Sequence, residues 1–471
     1  MTRYYVLALV ASLAALISGC TMAPRHERPA TPVADSFPGT TPSDTDPAHV
    51  TRAVADIGWK EFFPLPRIQG LIIAALEHNR DLRLAMLNVT ATRAQYRIQE
   101  ADLFLHINGA AGFTRSRTAA DLSPTGSAVT ANRFEVGLGV TSYELDLFGR
   151  VHSLKDSALA AYLATKEAQL TARISLISEV VAAYLAERTA AEQLELARNT
   201  LIARSDALAL SRQRFDAGVA SSLDVKLAET LVESARVSVA TLTRERAQAI
   251  NALTLLVGTD VGQLPPATPL ATIAPVVDVP GGLPSALLEN RPDIRAAEQR
   301  LMAANADIGA ARAAFFPRIT LTGAIGTASP ELSSLFDSEN RTWTFMPQLV
   351  LPIFTWGANQ ANLDLATVRK DQAIATYEKT IQVAFREVAD ALVARGPLDD
   401  QVQAQARLRA TQAERLTLAE QRYASGVEGY LAVLDAKRDL FDAEQALVQA
   451  HQLRLLNAVN LYKALGGGVK D

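Results

Sequence analysis

The chain is written twice. Leu76-Glu77, Asp81, Arg83 and Ala85 return as Leu288-Glu289, Asp293, Arg295 and Ala297, each pair 212 positions apart, and Phe104 and Ile107 return as Phe316 and Ile319 at the same offset. Gly149, Gly218 and Gly258 then return as Gly357, Gly426 and Gly466 at an offset of 208. The phrase Arg214-Phe215-x-x-Gly218-Val219 reappears as Arg422-Tyr423-x-x-Gly426-Val427. Solenoid and propeller units repeat every ~20–50 residues, so this period marks a duplicated half-domain instead. Two long elements occur in each half, in the same order.

Gly149 to Gly218 contains no proline, and Gly357 to Gly426 contains only Pro397. At 1.5 Å per residue, each stretch makes on the order of 100 Å of helix if unbroken. Leu163, Leu170, Ile174, Ile177, Val181 and Tyr184 follow heptad spacing, as do Ile374, Tyr377, Ile381, Ala384 and Val388. That is the seam of helices packed side by side. An ordinary soluble bundle explains these stretches equally well, but it does not explain what lies between them.

There the period changes to two. Phe134, Val136, Leu138 and Val140 alternate with Glu135, Gly137, Gly139 and Thr141, and Trp343, Phe345, Pro347, Leu349 and Leu351 alternate with Thr344, Met346, Gln348 and Val350. Such alternation predicts strands with one apolar face. Partner strands are expected around Leu105 to Arg115 and Ile319 to Ile325, joined by polar loops over Thr118 to Asn132 and Ser329 to Glu339. Strands of roughly 10 to 14 residues have the length that crosses an outer membrane at a tilt. Open strand edges are not tolerated in hydrocarbon, and bacterial barrels begin at about eight strands. Four strands per chain therefore predict that several chains pool them.

The N-terminus has the layout of a secretory signal, with Arg3, an apolar run from Val6 to Ile17, and then Ser18-Gly19-Cys20. Its apolar core is too short to span as a mature helix. The Ser18-Gly19-Cys20 phrase resembles a bacterial lipobox, in which Cys20 becomes the first mature residue and is acylated. The alternative is a plain signal with an incidental cysteine. Cys20 is the only cysteine, so no intrachain disulfide forms. Thr21 follows, and the lack of Asp there resembles lipoproteins sent to the outer membrane. Prolines from Pro24 to Pro47 suit an extended tether. The net charge of −4 comes without a basic block, which argues against nucleic acid as a partner.

With these features in place, the chain resembles the TolC-type outer-membrane efflux factors, most closely their lipoprotein (OprM/NodT-like) branch. The resemblance runs nearly end to end. It is carried by Asp56-Ile57-Gly58-Trp59, Asn79-Arg80-Asp81-Leu82-Arg83, Tyr143-Glu144-Leu145-Asp146-Leu147-Phe148-Gly149-Arg150, Arg291-Pro292-Asp293-Ile294, Ala313-Ala314-Phe315-Phe316-Pro317 and Asn460-Leu461-Tyr462-Lys463-Ala464-Leu465-Gly466. It implies a mostly α chain with membrane β. Three copies would form a twelve-strand β-barrel in the outer membrane, continuing into a twelve-helix α-barrel in the periplasm with an equatorial girdle. The implied partners are a periplasmic adaptor, an inner-membrane RND-type pump and outer-membrane lipid. The expected divisions are a signal over 1–19, an extended lipidated segment over 20–57 and a first repeat over 58–257 with its hairpin at 103–148 and long helices at 149–257. A linker follows over 258–283, then a second repeat over 284–465 with its hairpin at 315–355 and long helices from 357, and a tail over 466–471.

In the family, the closed end lies at the helix-pair turns, here at Gly218 and Gly426, where glycine suits a left-handed helix end. Leu431 and Asp435 match the constriction pair, and their four-residue spacing puts both on one helix face. The rival reading makes Leu431 a core residue and Asp435 a solvated charge. Tyr423 and Asp224 match a phenol and carboxylate that bridge neighbouring helices. Glu428 stands where the family elsewhere carries arginine, so that charged latch does not transfer.

Three rival functions compete with a channel. An enzyme has little support: the six histidines lack metal-ligand spacing and the single cysteine is committed to lipid, so no catalytic, cofactor or metal set is expected. Gly466-Gly467-Gly468 follows a helix, where it reads as a C-cap and tail and not as a phosphate cradle. Asp399-Asp400 reads as a solvated turn at a kink after Pro397. A structural periplasm-spanning lipoprotein has no use for duplicated amphipathic hairpins. A duct for type I protein export stays open, whereas a metal duct would be expected to carry His or Met clusters.

Overall fold

In the computed structural model, the described residues are 21–34, 36–37, 57–262, 269–273 and 290–467. Cys20, the signal segment, most of the linker and residues 468–471 lie outside them. The elements are α1 (Trp59–Phe62), α2 (Pro66–His78), α3 (Arg80–Ala101), β1 (Ile107–Thr118), β2 (Val129–Leu145), α4 (Arg150–Asp216) and α5 (Ser222–Val257). The second half repeats the series as α6 (Pro292–Ala313), β3 (Arg318–Ser329), β4 (Arg341–Val350), α7 (Ala358–Ala424) and α8 (Tyr430–Ala464). The duplication is visible in the bounds, because α4 and α7 are each 67 residues long and α3 and α6 each 22. No helix among the described residues is long and apolar enough to cross a membrane.

One compact unit gathers Asn88–Lys166 and Ala296–Tyr377 with the N-terminal segment up to Ala30. Its centre is a four-stranded antiparallel sheet in the order β1-β2-β3-β4. β2 and β3 come from different halves and pair from Phe134↔Ser329 to Leu145↔Ile319, with an extra residue bulged on β2 between Val140 and Tyr143. The register sorts the side chains by face. Ile107, Gly109, Ala111 and Phe113 share a face with Phe134, Val136, Leu138 and Val140, with Gly323 and Ile325, and with Trp343, Phe345 and Leu349. Asn108, Thr114, Glu135, Thr320, Thr322, Thr344 and Gln348 take the other. At the central seam Gly137 lies opposite Gly326. A Cβ on Gly137 would stand 2.6 Å from the Ile325 carbonyl oxygen, so this approach requires glycine.

The strands differ from expectation at their ends. β1 begins at Ile107 instead of Leu105, and β2 begins at Val129, inside the expected loop. Backbone pairing continues through polar Thr130 and Asn132, opposite Arg117 and Arg115, where hydropathy alternation gives no signal. Pro347 lies in β4, the last strand of the chain's sheet, opposite Leu321.

Where β2 turns into α4, the Tyr143-to-Arg150 phrase works as a clasp. Glu144 accepts two hydrogen bonds from Arg150 at 2.8 and 2.6 Å and pairs with Arg318 at 2.7 Å. Asp146 accepts from the His152 backbone at 2.8 Å, satisfying a free amide of the α4 first turn. The described start of the N-terminal segment is fastened to α6 at two points. Arg28 makes a two-pronged pair with Glu298 of α6 at 2.8 and 2.9 Å, and Arg312 donates to the Met22 carbonyl at 3.1 Å.

The second unit gathers Thr31–Leu87, Glu167–Arg295 and Glu378–Asp471. Ile174, Ile177, Val181 and Tyr184 are buried here, as are Ile381, Ala384 and Val388. Phe62 stacks on Tyr462 at 3.9 Å, and the Tyr462 hydroxyl donates to the Ile57 carbonyl at 2.9 Å. α7 runs on through Pro397 without a break. Asp399 is therefore helical and not in a turn, and it lies 3.7 Å from Arg454 of α8. One lost backbone hydrogen bond in a long, packed helix is outweighed by the helix's other contacts.

Two guanidiniums converge on a fully buried carboxylate. Arg246 of α5 donates to Glu187 of α4 at 2.9 Å, and Arg188 pairs with the second carboxylate oxygen. Glu187 and Arg188 are both 0 % exposed. Removing one member of such a group strands the others in a poor solvent at a cost of ~3–5 kcal/mol. Glu187→Gln is expected to lower the melting temperature of the detergent-solubilised protein by circular dichroism, whereas the exposed Glu77→Gln leaves it unchanged. Equal melting of both variants would refute a structural role for the cluster.

Candidate aperture at the helix tips

Both helix pairs turn on the same motif. After α4, Gly218 (φ +77°) donates to the Phe215 carbonyl at 2.9 Å and Val219 donates to that of Arg214 at 2.9 Å. After α7, Gly426 (φ +72°) donates to Tyr423 and Val427 to Arg422, both at 3.0 Å. This paired closure satisfies the last carbonyls of a helix and needs a left-handed residue, which glycine adopts without steric cost.

The restart is built differently in the two pairs. α5 opens on a capping box: the Asp224 backbone donates to the Ser221 hydroxyl at 3.1 Å, and the Asp224 carboxylate accepts from the Ser221 backbone at 3.0 Å and hydroxyl at 2.8 Å. Asp224 is thus engaged at the start of its own helix. Tyr423 packs against Tyr430 with ring centroids 5.0 Å apart, and the Arg214 guanidinium lies 5.0 Å from its ring. Among the described residues of one protomer, Tyr423 and Asp224 are not hydrogen-bonded to each other.

Leu431 and Asp435 lie on the first turns of α8, the leucine exposed and the aspartate half-buried. Asp435 pairs with its i,i+3 neighbour Arg438 at 3.3 Å. Arg438 also reaches Asp439 at 3.2 Å, and Arg415 of α7 donates to Asp439 at 2.6 Å. The Arg415 hydrogen bond, reinforced by Arg438, holds the Asp439 carboxyl below the usual carboxylate range. Glu428 accepts from Arg422 at 2.7 Å across the turn, so it closes its own hairpin where an arginine at that position could not.

A further tie lies above the tips. Buried Arg204 of α4 donates to the Leu231 carbonyl of α5 at 3.1 Å and stacks 5.5 Å from the Phe441 ring of α8. Phe441 also packs on the Leu194, Ala197 and Leu242 cluster. The second helix pair is held to the first by this contact and by Arg214 on Tyr423. Neither contact is legible in the sequence, because a single Arg in a long amphipathic helix reads as solvated surface.

Two stretches, residues 71–259 and 283–467, match the family model described as outer membrane efflux protein. The chain is 48% identical to outer membrane protein OprJ of Pseudomonas aeruginosa over 457 residues, covering 97% of this chain and 94% of OprJ. It is 48% identical over 454 residues to the solvent efflux pump outer membrane protein SrpC of Pseudomonas putida, covering 96% of each. The crystal structure of the open state of the Neisseria gonorrhoeae MtrE outer membrane channel is similar at TM-score 0.85 and 42% identity, with 96% of this chain and 99% of that one covered. The protein is accordingly a channel component of the outer membrane and not a catalyst. On repeat, fold and sequence together, the chain belongs to the outer membrane efflux protein family.

Proposed function

We propose that this protein is the exit duct of a tripartite efflux system for small toxic molecules, acting as a lipid-anchored homotrimer that an inner-membrane RND-type pump and a periplasmic adaptor open. The observation that carries this reading is the sheet: one apolar face in register across four strands, with β1 and β4 left as open edges. Unpaired strand amides cost several kcal/mol each in hydrocarbon, and three copies close twelve strands edge to edge. Small-molecule cargo is favoured over exported protein because SrpC is named for solvent efflux.

In the trimer, three copies of Leu431 and Asp435 surround the axis at the tips. The leucines resist wetting and the carboxylates favour cations. Arg438 beside each Asp435 offsets part of that charge. Closure rests on Tyr423 and Asp224 bridging neighbouring helices, with Arg204 and Arg214 holding each protomer's two pairs together.

Crosslinking in membranes is expected to give a trimer band and little monomer, and Cys20→Ser is expected to keep it, because the barrel spans the membrane independently of the lipid. Mass spectrometry of the mature N-terminus is expected to find Cys20 acylated, and an unmodified Cys20 would remove the anchor from the proposal. A monomer soluble without detergent would contradict the architecture. Leu431→Ala/Asp435→Ala is expected to raise single-channel conductance in planar bilayers, weaken cation preference and sensitise cells to vancomycin. Arg438→Gln is expected to strengthen cation preference. Unchanged conductance and selectivity in assembled trimers would place the constriction elsewhere.

A further inference from the structure

The outward face of the sheet is apolar except at one end. With the pleat followed strand by strand, the charged residues on that face are Arg115 and Arg117 of β1 and Arg341 of β4, and no carboxylate shares it. All three lie at the loop end, away from the strand ends that lead into helices. The β1–β2 register has no irregularity from Ile107↔Val140 to Thr118↔Val129, so the side that holds Gly109 against Leu138 is also the side of Arg115 and Arg117. Arg341 lies opposite Thr327, which lies opposite Val136 of the same face. The three guanidiniums are exposed and have no ion-pair partner among the described residues.

Directly inward of them stand aromatic rings. Phe113 is one outward position below Arg115 and packs on Phe134 at 4.6 Å, and Trp343 is one outward position below Arg341. One outward step along a strand is ~7 Å. Aromatic rings of outer-membrane barrels mark the edge of the hydrocarbon, so charges one and two steps beyond sit at headgroup depth. Asn132 and Thr130, cross-strand neighbours of Arg115 and Arg117, add neutral hydrogen-bonding groups at the same level. Arg133, by contrast, falls on the opposite face and is paired with Glu135 at 2.9 Å.

From this arrangement we propose that Arg115, Arg117 and Arg341 form a binding site for the phosphorylated glycolipid of the outer leaflet. Their guanidiniums grip its phosphates while its acyl chains lie on the apolar band below. Guanidinium matches phosphate geometry with paired hydrogen bonds, and an outward arginine without a carboxylate partner is otherwise left uncompensated at that depth. The proposal rests on the outer-membrane trimer above. Closing the barrel joins the β4 edge of one protomer to the β1 edge of the next, which brings Arg341 and the Arg115–Arg117 pair to the two sides of one seam. The site is then complete only in the assembly.

The test uses trimer purified from outer membranes, so that recovery of the trimer checks the channel reading separately. Native mass spectrometry would follow binding of bisphosphorylated lipid A, monophosphorylated lipid A, phosphatidylglycerol and inorganic phosphate. Bisphosphorylated lipid A is expected to bind at least about tenfold better than phosphatidylglycerol and to lose at least about that factor in Arg115→Gln/Arg117→Gln/Arg341→Gln. The triple lysine variant should retain part of the binding, and Arg133→Gln should bind as wild type. Should the glutamine triple not assemble, Arg117→Gln alone, a single exposed change, should still weaken binding severalfold. Undiminished binding by the assembled glutamine variant, equal binding of phosphatidylglycerol, or displacement by inorganic phosphate would each overturn the proposal.

Discussion

Hydrocarbon offers the backbone no hydrogen-bond partner, and that single fact governs how this chain is organised. A sheet whose outward face is apolar except at its loop end suits lipid, yet its β1 and β4 edges leave rows of amides and carbonyls with nothing to bind within the chain. Helices satisfy their own backbone, so α4 and α7 can run 67 residues in water without such a demand. The chain therefore has one part that is complete alone and one that is complete only in company. In the proposed trimer the edges of neighbouring copies meet that demand.

Much of this was legible because duplication and periodicity are averages over many residues. Heptad positions such as Ile177, Val181, Ile381 and Val388 are buried because a stripe of that spacing has one stable use. The alternation around Leu138 and Phe345 likewise reads as one face. What the pattern hid is local. Thr130 and Asn132 pair as strand although polar, since backbone hydrogen bonds extend past the apolar band. Pro397 suggested a kink, but the surrounding helix supplies enough bonds to continue through it. Proline-rich composition suggested an extended segment, and near its start Arg28 pairs with Glu298, a contact 270 positions apart that no local signal announces.

At the tips the glycines were legible, since few residues tolerate a left-handed turn. The charges were less so. Arg438 stands three residues from Asp435 and could have been paired by helix geometry alone. Arg204 could not, because its partners are a carbonyl on α5 and a ring on α8. Asp224 has a reason to exist at its position as a helix cap, independent of any neighbour. Its carboxylate is spent on the Ser221 backbone and hydroxyl, and that local requirement alone accounts for it.

The pairing of β2 with β3 has a consequence for how the protein comes into being. Phe134 meets Ser329 and Leu145 meets Ile319, so the middle of the sheet joins segments separated by the whole first helix pair and the linker. Contacts of such long sequence separation form slowly, because the loop entropy is lost before the contact repays it. The first hairpin is synthesised and delivered long before its neighbour strand exists. Until then it must wait as an apolar ribbon with two bare edges, the kind of species that aggregates or needs a chaperone. The sheet thus cannot be completed until the second half of the chain has been made.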